Sequence, residues 1–270
     1  MEIQAKKKFG QNFISDPTLI KKIVTLIPEN KNSLIIEIGP GTGALTKLLV
    51  QKFDKVVAIE IDESLIPILH RDLNSENFKI INQDVLTIDF KSLIENEKQN
   101  PEQEVYLISN MPYYITSEIL FRTFDVSDQI KKAIFMVQKE VATRLIAKES
   151  GNNYNNLSVA ADFYADKKYE FTVLKNKFKP VPKVDSAIVS LTFWDKYKQE
   201  LNGNDQEFIS FVRKIFNNRR KTILNNLTNI TNNKDLSKAI LGQTKIAENL
   251  RPENISTNQY IQLFKNLKVQ

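Results

Sequence analysis

Apolar and β-branched runs recur along the chain, separated by stretches with helical spacing. The runs fall at residues 34–38, 56–61, 78–81, 105–108, 133–137, 169–174 and 187–193, after a helix-like opening segment at 17–26. Short continuous apolar runs between turn residues fit strands buried on both faces, as in a parallel sheet covered by helices. Five runs with helical intervals, then two close together, predict an α/β fold: a Rossmann-like, doubly wound, mostly parallel sheet ending in an antiparallel pair. Beyond "DKYKQELNGNDQ", residues 195–206, the pattern changes. Phe208, Phe211, Val212, Ile215 and Phe216 mark one helical face, and no further strand pattern follows. The expected division is therefore 1–200, an α/β domain with an N-terminal arm, and 201–270, a small all-helical domain.

Composition narrows the chemistry. The 270 residues contain no cysteine and one histidine, His70, which excludes disulfides, thiolate nucleophiles and cysteine zinc sites and leaves no histidine cluster for a metal. No stretch approaches the ~20 apolar residues of a membrane span, and the opening "MEIQAKKKFGQNF" lacks a signal-peptide core, so a soluble cytoplasmic protein is expected. Charge is unevenly placed. Residues 196–270 hold 13 Lys+Arg against 6 Asp+Glu, whereas the preceding chain holds 25 against 26. That excess suits a module that meets a polyanion, although a solvated lysine-rich face gives the same count.

Three strand ends carry a nucleotide-binding pattern. In "IIEIGPGTGALT", three of the chain's seven glycines fall within 39–43, permitting a tight turn and close approach of a ligand to backbone N–H groups. Gly39 and Gly41 also satisfy a loose dinucleotide fingerprint. Glu60, at the end of "VVAIEID", stands where a carboxylate accepts from both ribose hydroxyls of an adenosine. Asp84 in "INQDVL" can accept from an adenine amino group. Nicotinamide and adenosylmethionine cofactors both fit this set.

The stretch "SNMPYYIT" separates them. Asn110 offers an amide carbonyl, and Pro112 fixes the backbone in a turn where main-chain carbonyls can be left to accept. Two acceptors on one –NH2 group would hold an exocyclic amine with its lone pair aimed at an electrophilic methyl, so positioning supplies most of the catalysis. Tyr113 supplies a ring face for a base; Tyr114 reads as a core aromatic. In "RKIFNNRRKTILNNL", one helical face is apolar while Arg213, Lys214, Arg219, Arg220 and Lys221 stay outside, a surface suited to phosphates.

Together "KKKFGQNF", "EIGPGTGALT", "AIEID", "QDVL", "NMPYYIT", "FKPVPKVDSAIVSL" and "IFNNRRKTILNNL" resemble the ribosomal RNA adenine N6-dimethyltransferases, specifically the small-subunit dimethyladenosine transferases, over essentially the whole length. Met111 departs from the family's usual leucine. The resemblance implies a class I methyltransferase using S-adenosyl-L-methionine, contacted by Asn12 and Ile14 of the N-terminal arm, by the Gly39–Gly41 loop, and by Glu60, Asp84 and Asn110. It implies that Phe178 of "FKPVP" stacks on the target adenine opposite Tyr113, completing a catalytic set of Asn110, Pro112, Tyr113 and Phe178. Flanking Lys177, Lys179 and Pro180 suggest a loop ring among cations. The implied reaction methylates N6 of two adjacent adenines near the 3′ end of small-subunit (16S) rRNA during ribosome biogenesis. The small-subunit precursor is then the partner and a monomer the expected state. Rivals are a large-subunit (23S) rRNA methyltransferase conferring antibiotic resistance, which shares these motifs, a noncatalytic RNA-binding ribosome-assembly or transcription factor, and a dehydrogenase, which leaves "NMPY" unused.

Overall fold

The computed structural model describes residues 5, 6 and 9–268. In chain order its elements begin with β1 (Phe13–Ile14), α1 (Pro17–Val24), β2 (Leu34–Ile38), α2 (Thr46–Lys52), β3 (Lys55–Glu60), α3 (Ile66–Asp72) and β4 (Phe78–Asn82). They continue with α4 (Phe90–Glu97), β5 (Val105–Asn110), α5 (Thr116–Asp125), β6 (Lys132–Gln138), α6 (Lys139–Leu145), α7 (Asn156–Tyr164) and β7 (Ala165–Val173). After β8 (Phe178–Lys179) and β9 (Ser186–Phe193) come only helices: α8 (Lys196–Leu201), α9 (Asp205–Phe216), α10 (Ile223–Thr231), α11 (Lys234–Thr244) and α12 (Thr257–Lys268).

All seven apolar runs become strands of one sheet, ordered β4-β3-β2-β5-β6-β9-β7. β2, β3, β4, β5 and β6 run parallel to their neighbours, and β9 is antiparallel to β6. Every residue of β2 is buried, which is why its pattern is continuous rather than alternating. Strand order reverses between β2 and β5, and at such a switch point the loops leaving the two strands part to open a crevice. Packing fixes the helices against this sheet. Pro17 starts α1 with its φ preset, and Asp16 caps it by accepting from the N–H groups of Thr18 and Leu19. The apolar face of α1 then buries Ile23 and Val24 in one cluster with Ile35, Leu49 and Val56.

The pair β1 and β8 forms a separate two-stranded sheet, with Phe13 opposite Lys179 and Ile14 opposite Phe178. The chain divides into two compact units, Met1–Ala142 with Lys168–Phe193, and Thr143–Lys167 with Trp194–Gln270. These differ from a division near residue 200: α7 lies with the C-terminal helices. The reason is aromatic packing within the second unit. Phe163 of α7 lies 4.8 Å from the Phe208 ring of α9, which meets Phe264 of α12 at 5.7 Å. The hydroxyl of Tyr154, just before α7, donates to the carbonyl of Ile255. No helix among the described residues is long and apolar enough to cross a membrane.

Candidate active site

The crevice at the switch point encloses about 880 Å³, its open mouth included. Its floor is the glycine loop after β2. Gly39 and Gly41 both have positive φ, at 69° and 58°, and a Cβ on Gly41 would come within 3.0 Å of the Phe13 ring. Glycine is therefore required at 41 for backbone conformation and for space alike. The N–H of Gly41 donates to Glu60 Oε2 at 3.1 Å. That amide anchors the loop to β3 rather than standing ready for a ligand.

Glu60 ends β3 and is only 5% exposed. Its Oε1 accepts from the Asp62 N–H at 2.8 Å, so both oxygens are oriented by backbone while each retains acceptor capacity. Burial raises the Glu60 carboxyl above the ordinary carboxylate value, and the hydrogen bonds from Asp62 and Gly41 oppose that rise. Asp84, beyond β4, caps the next turn by accepting from Leu86 N–H with Oδ1. Its other oxygen has no protein partner among the described residues. Both acids line the crevice.

On the far side of the switch point, Asn110 ends β5. Its Nδ2 donates to the Asn12 carbonyl at 2.8 Å. A carbonyl can only accept, so this hydrogen bond fixes which end of the amide is which and leaves Oδ1 as the available acceptor. The main-chain carbonyls of the turn are not equivalent. The Pro112 carbonyl is already taken, by Ile115 N–H at 3.3 Å and Thr116 Oγ1 at 3.1 Å. The Met111 carbonyl has no protein donor among the described residues. Asn110 Oδ1 and the Met111 carbonyl are thus both left as acceptors at this turn.

The structure brings Asn12, Ile14, Gly39, Gly41, Glu60 and Asp84 to one crevice, together with Asn110 and Pro112. Tyr114 is not the core aromatic expected of it. Tyr114 is 55% exposed and lines the crevice, whereas Tyr113 is half-buried and its hydroxyl is held 2.7 Å from Ser186 Oγ of β9. A tight 3-10 turn at Tyr113–Ile115 sends adjacent rings in different directions. Phe178 requires a larger correction. It is 1% exposed and packs in the core with Ile14 and Val173, not as a loop ring among cations. Pairing β8 with β1 turns alternate side chains to opposite faces, so Phe178 points in while Lys179 points out. Arg213, Arg219, Arg220 and Lys221 belong to the second unit and are all exposed. Arg219 is nonetheless engaged there, 3.6 Å from Glu253 and 3.4 Å from the Asn152 carbonyl.

The model of the ribosomal RNA adenine dimethylases matches residues 2–268. This chain belongs to that family. The chain is thus an rRNA adenine dimethyltransferase. The chain is 58% identical to a protein of Mesoplasma florum named ribosomal RNA small subunit methyltransferase A, over 99% of this chain and 100% of that one. Among solved structures, a dimethyladenosine transferase from Plasmodium falciparum superposes with a TM-score of 0.78 at 24% identity, covering 95% and 97% of the two chains. The 23S rRNA methyltransferase ErmE does so with a TM-score of 0.68 at 24% identity, covering 95% and 100%. At that identity the two structures establish the class I methyltransferase fold.

Within this dimethylase fold three further residues line or brace the crevice although the sequence pattern does not single them out. Glu37 of β2 is completely enclosed, and burial, with Glu60 nearby, pushes its carboxyl up to about 8. A charge inside an apolar run was the available signal. Asp62 is 2% exposed, and Gln11 of the N-terminal arm donates to its Oδ2 at 2.8 Å. Neither carries a periodicity or a recognisable spacing.

Proposed function

We propose that this dimethylase transfers methyl groups from S-adenosyl-L-methionine to N6 of adenines in small-subunit rRNA, giving N6,N6-dimethyladenosine at the two adjacent adenines near the 3′ end. The observation that carries the reading is the Asn110 amide, pinned through Nδ2 with Oδ1 unpartnered among the described residues, in the lining of a crevice that also contains Glu60 and Asp84. When bound, the cofactor supplies an electrophilic methyl on a sulfonium. Glu60 would accept from its ribose hydroxyls and Asp84 from its adenine amine, both with acceptor capacity left over from their backbone hydrogen bonds. Asn110 Oδ1 and the Met111 carbonyl would accept from the target amine and favour a pyramidal nitrogen. Its lone pair would form the new N–C bond as the S–CH3 bond breaks and the sulfur leaves as the neutral thioether, S-adenosylhomocysteine, and the cationic nitrogen would then lose its proton to water. No strong base is needed, so orientation is the main catalytic contribution.

The target sits in an RNA, and the exposed Arg213, Arg220 and Lys221 of the second unit suit its phosphates, with Arg219 beside them. This assigns the second unit to RNA or ribosome binding and the first to methyl transfer. It also makes the small-subunit precursor the partner of a cytoplasmic monomer. Small-subunit relatives at full-length coverage favour this branch over large-subunit targets. Mapping modified nucleotides by mass spectrometry after incubation with undermethylated small subunits tests the reading. Dimethyladenosine that depends on S-adenosylmethionine is the expected product; unmodified small-subunit adenines with methylated large-subunit RNA overturn it.

A further inference from the structure

The N-terminal arm forms one wall of the crevice, since Phe9, Gly10 and Gln11 line it along with Asn12 and Ile14. Something must hold that wall, because Phe13 and Ile14 alone make a two-residue strand pairing. On the cofactor side the fastening is Asp62. Its Oδ1 accepts from Lys6 Nζ at 2.6 Å and its Oδ2 from Gln11 Nε2 at 2.8 Å. Gln11 Oε1 in turn accepts the backbone N–H of Lys6 at 2.8 Å. The polarity of this chain is forced: a carboxylate only accepts, so Gln11 must present its NH2 to Asp62 and its carbonyl to Lys6. At its other end the same arm places the Asn12 carbonyl against Asn110 Nδ2, while the Asp62 N–H orients Glu60.

We propose that Asp62 is a positioning residue for methyl transfer: through Gln11 and Lys6 it latches the arm across the crevice, and the arm's Asn12 carbonyl holds Asn110 Oδ1 in register with the target amine. Asp62 also caps the short turn after β3 by accepting from Ser64 N–H. That local role uses Oδ1 alone and has no need of Gln11. The latch, by contrast, joins the ribose acceptor, the wall and the amine acceptor in one series of hydrogen bonds. Loosening it misplaces Asn110 without touching any atom that reacts.

The inference rests on assigning the crevice to S-adenosylmethionine, and the experiment separates the two. Four variants, Asp62→Asn, Gln11→Glu, the pair of these together, and Gln11→Ala, are compared with the parent by calorimetric titration of S-adenosylmethionine and by kcat and KM on undermethylated small subunits. Either exchange alone sets like groups against each other at positions 11 and 62, two amides in one case and two carboxylates in the other. Both together restore a donor facing an acceptor, now with the carboxylate on position 11, which still accepts the Lys6 N–H.

The expected result is a kcat loss of at least about tenfold in each single exchange, within the ~100-fold scale of misplaced reacting atoms, with most of it recovered in the double variant. Gln11→Ala leaves the Ser64 cap in place, so it should lose kcat similarly with an unchanged melting temperature. A double variant no faster than the slower single one, or a Gln11→Ala enzyme as fast as the parent, overturns the latch. A parent that binds no S-adenosylmethionine overturns the crevice assignment instead.

Discussion

At Glu60 one carboxylate orients the glycine loop through Gly41, and the proposed function makes the same carboxylate the ribose acceptor. Glu60→Ala should therefore weaken S-adenosylmethionine by roughly 1.5–3 kcal/mol for each charged hydrogen bond removed, and should also loosen the loop. Titration calorimetry reads the first effect and amide exchange at residues 39–43 the second; unchanged affinity removes Glu60 from the ribose. Asn110 gives a graded series. Asn110→Ala removes both the acceptor and the donor that meets Asn12, and is expected to cut kcat about 100-fold. Asn110→Asp keeps an acceptor for the amine but cannot donate to the Asn12 carbonyl, so its rate should fall between the two. Single-turnover methyl transfer at saturating cofactor checks the order; an Ala variant equal to the parent would reduce "NMPYY" to a turn. Among these residues the sequence exposes the ones that sit at strand ends in recognisable spacing. Tyr113 and Tyr114 show its limit, because a 3-10 turn, not the spacing, decides which ring faces the crevice.

The same contrast appears among the elements. β2, β3, β5 and β6 are legible because strands buried on both faces must be apolar throughout, and the chain between them has helical spacing, whereas β4, at the sheet edge and partly exposed, is marked by a shorter apolar run. β1 and β8 are not, because two residues carry no period, and with them the burial of Phe178 is lost to view. The placement of α7 with the C-terminal helices is set by rings far apart in sequence, such as Phe163 and Phe208. Within β2, Glu37 breaks the apolar run, and its Oε2 has no hydrogen-bond partner among the described residues. Its carboxyl stands at about 8 in the folded protein against an ordinary 4.5. Between those values the folded state keeps a proton that the unfolded chain has released, so stability falls as pH rises through that window, by up to ~1.4 kcal/mol per unit. Glu37→Gln, isosteric with the protonated acid, should flatten this slope and gain stability over the parent at pH 8 more than at pH 5. Urea unfolding at both pH values measures it, and parallel pH profiles for parent and variant would show that Glu37 carries no raised carboxyl.

On the scale of the whole molecule, the proposed contact with RNA draws on the excess of positive charge in residues 196–270. The structure divides that charge, because the basic residues after α9 are not equivalent. Arg219 is committed to Glu253 and to the Asn152 carbonyl, whereas Arg220 and Lys221 are exposed and have no side-chain partner among the described residues. A cation already facing a carboxylate neutralises a phosphate less effectively and releases fewer counterions. Replacing Arg220 and Lys221 together by Ala should thus weaken binding to small-subunit particles and flatten the plot of log affinity against log salt by about 0.7 to 0.9 for each phosphate no longer neutralised. Arg219→Ala should change that slope less and cost the second unit a little stability, about 1 kcal/mol or below for a partly exposed pair. Cofactor affinity should hold in both variants, since none of these side chains lines the crevice. Measured across a salt series, a double variant with the parent's slope would return the run to a solvated helical surface. A larger slope change in Arg219→Ala than in the double variant would mean that RNA displaces Glu253 and takes Arg219 for itself.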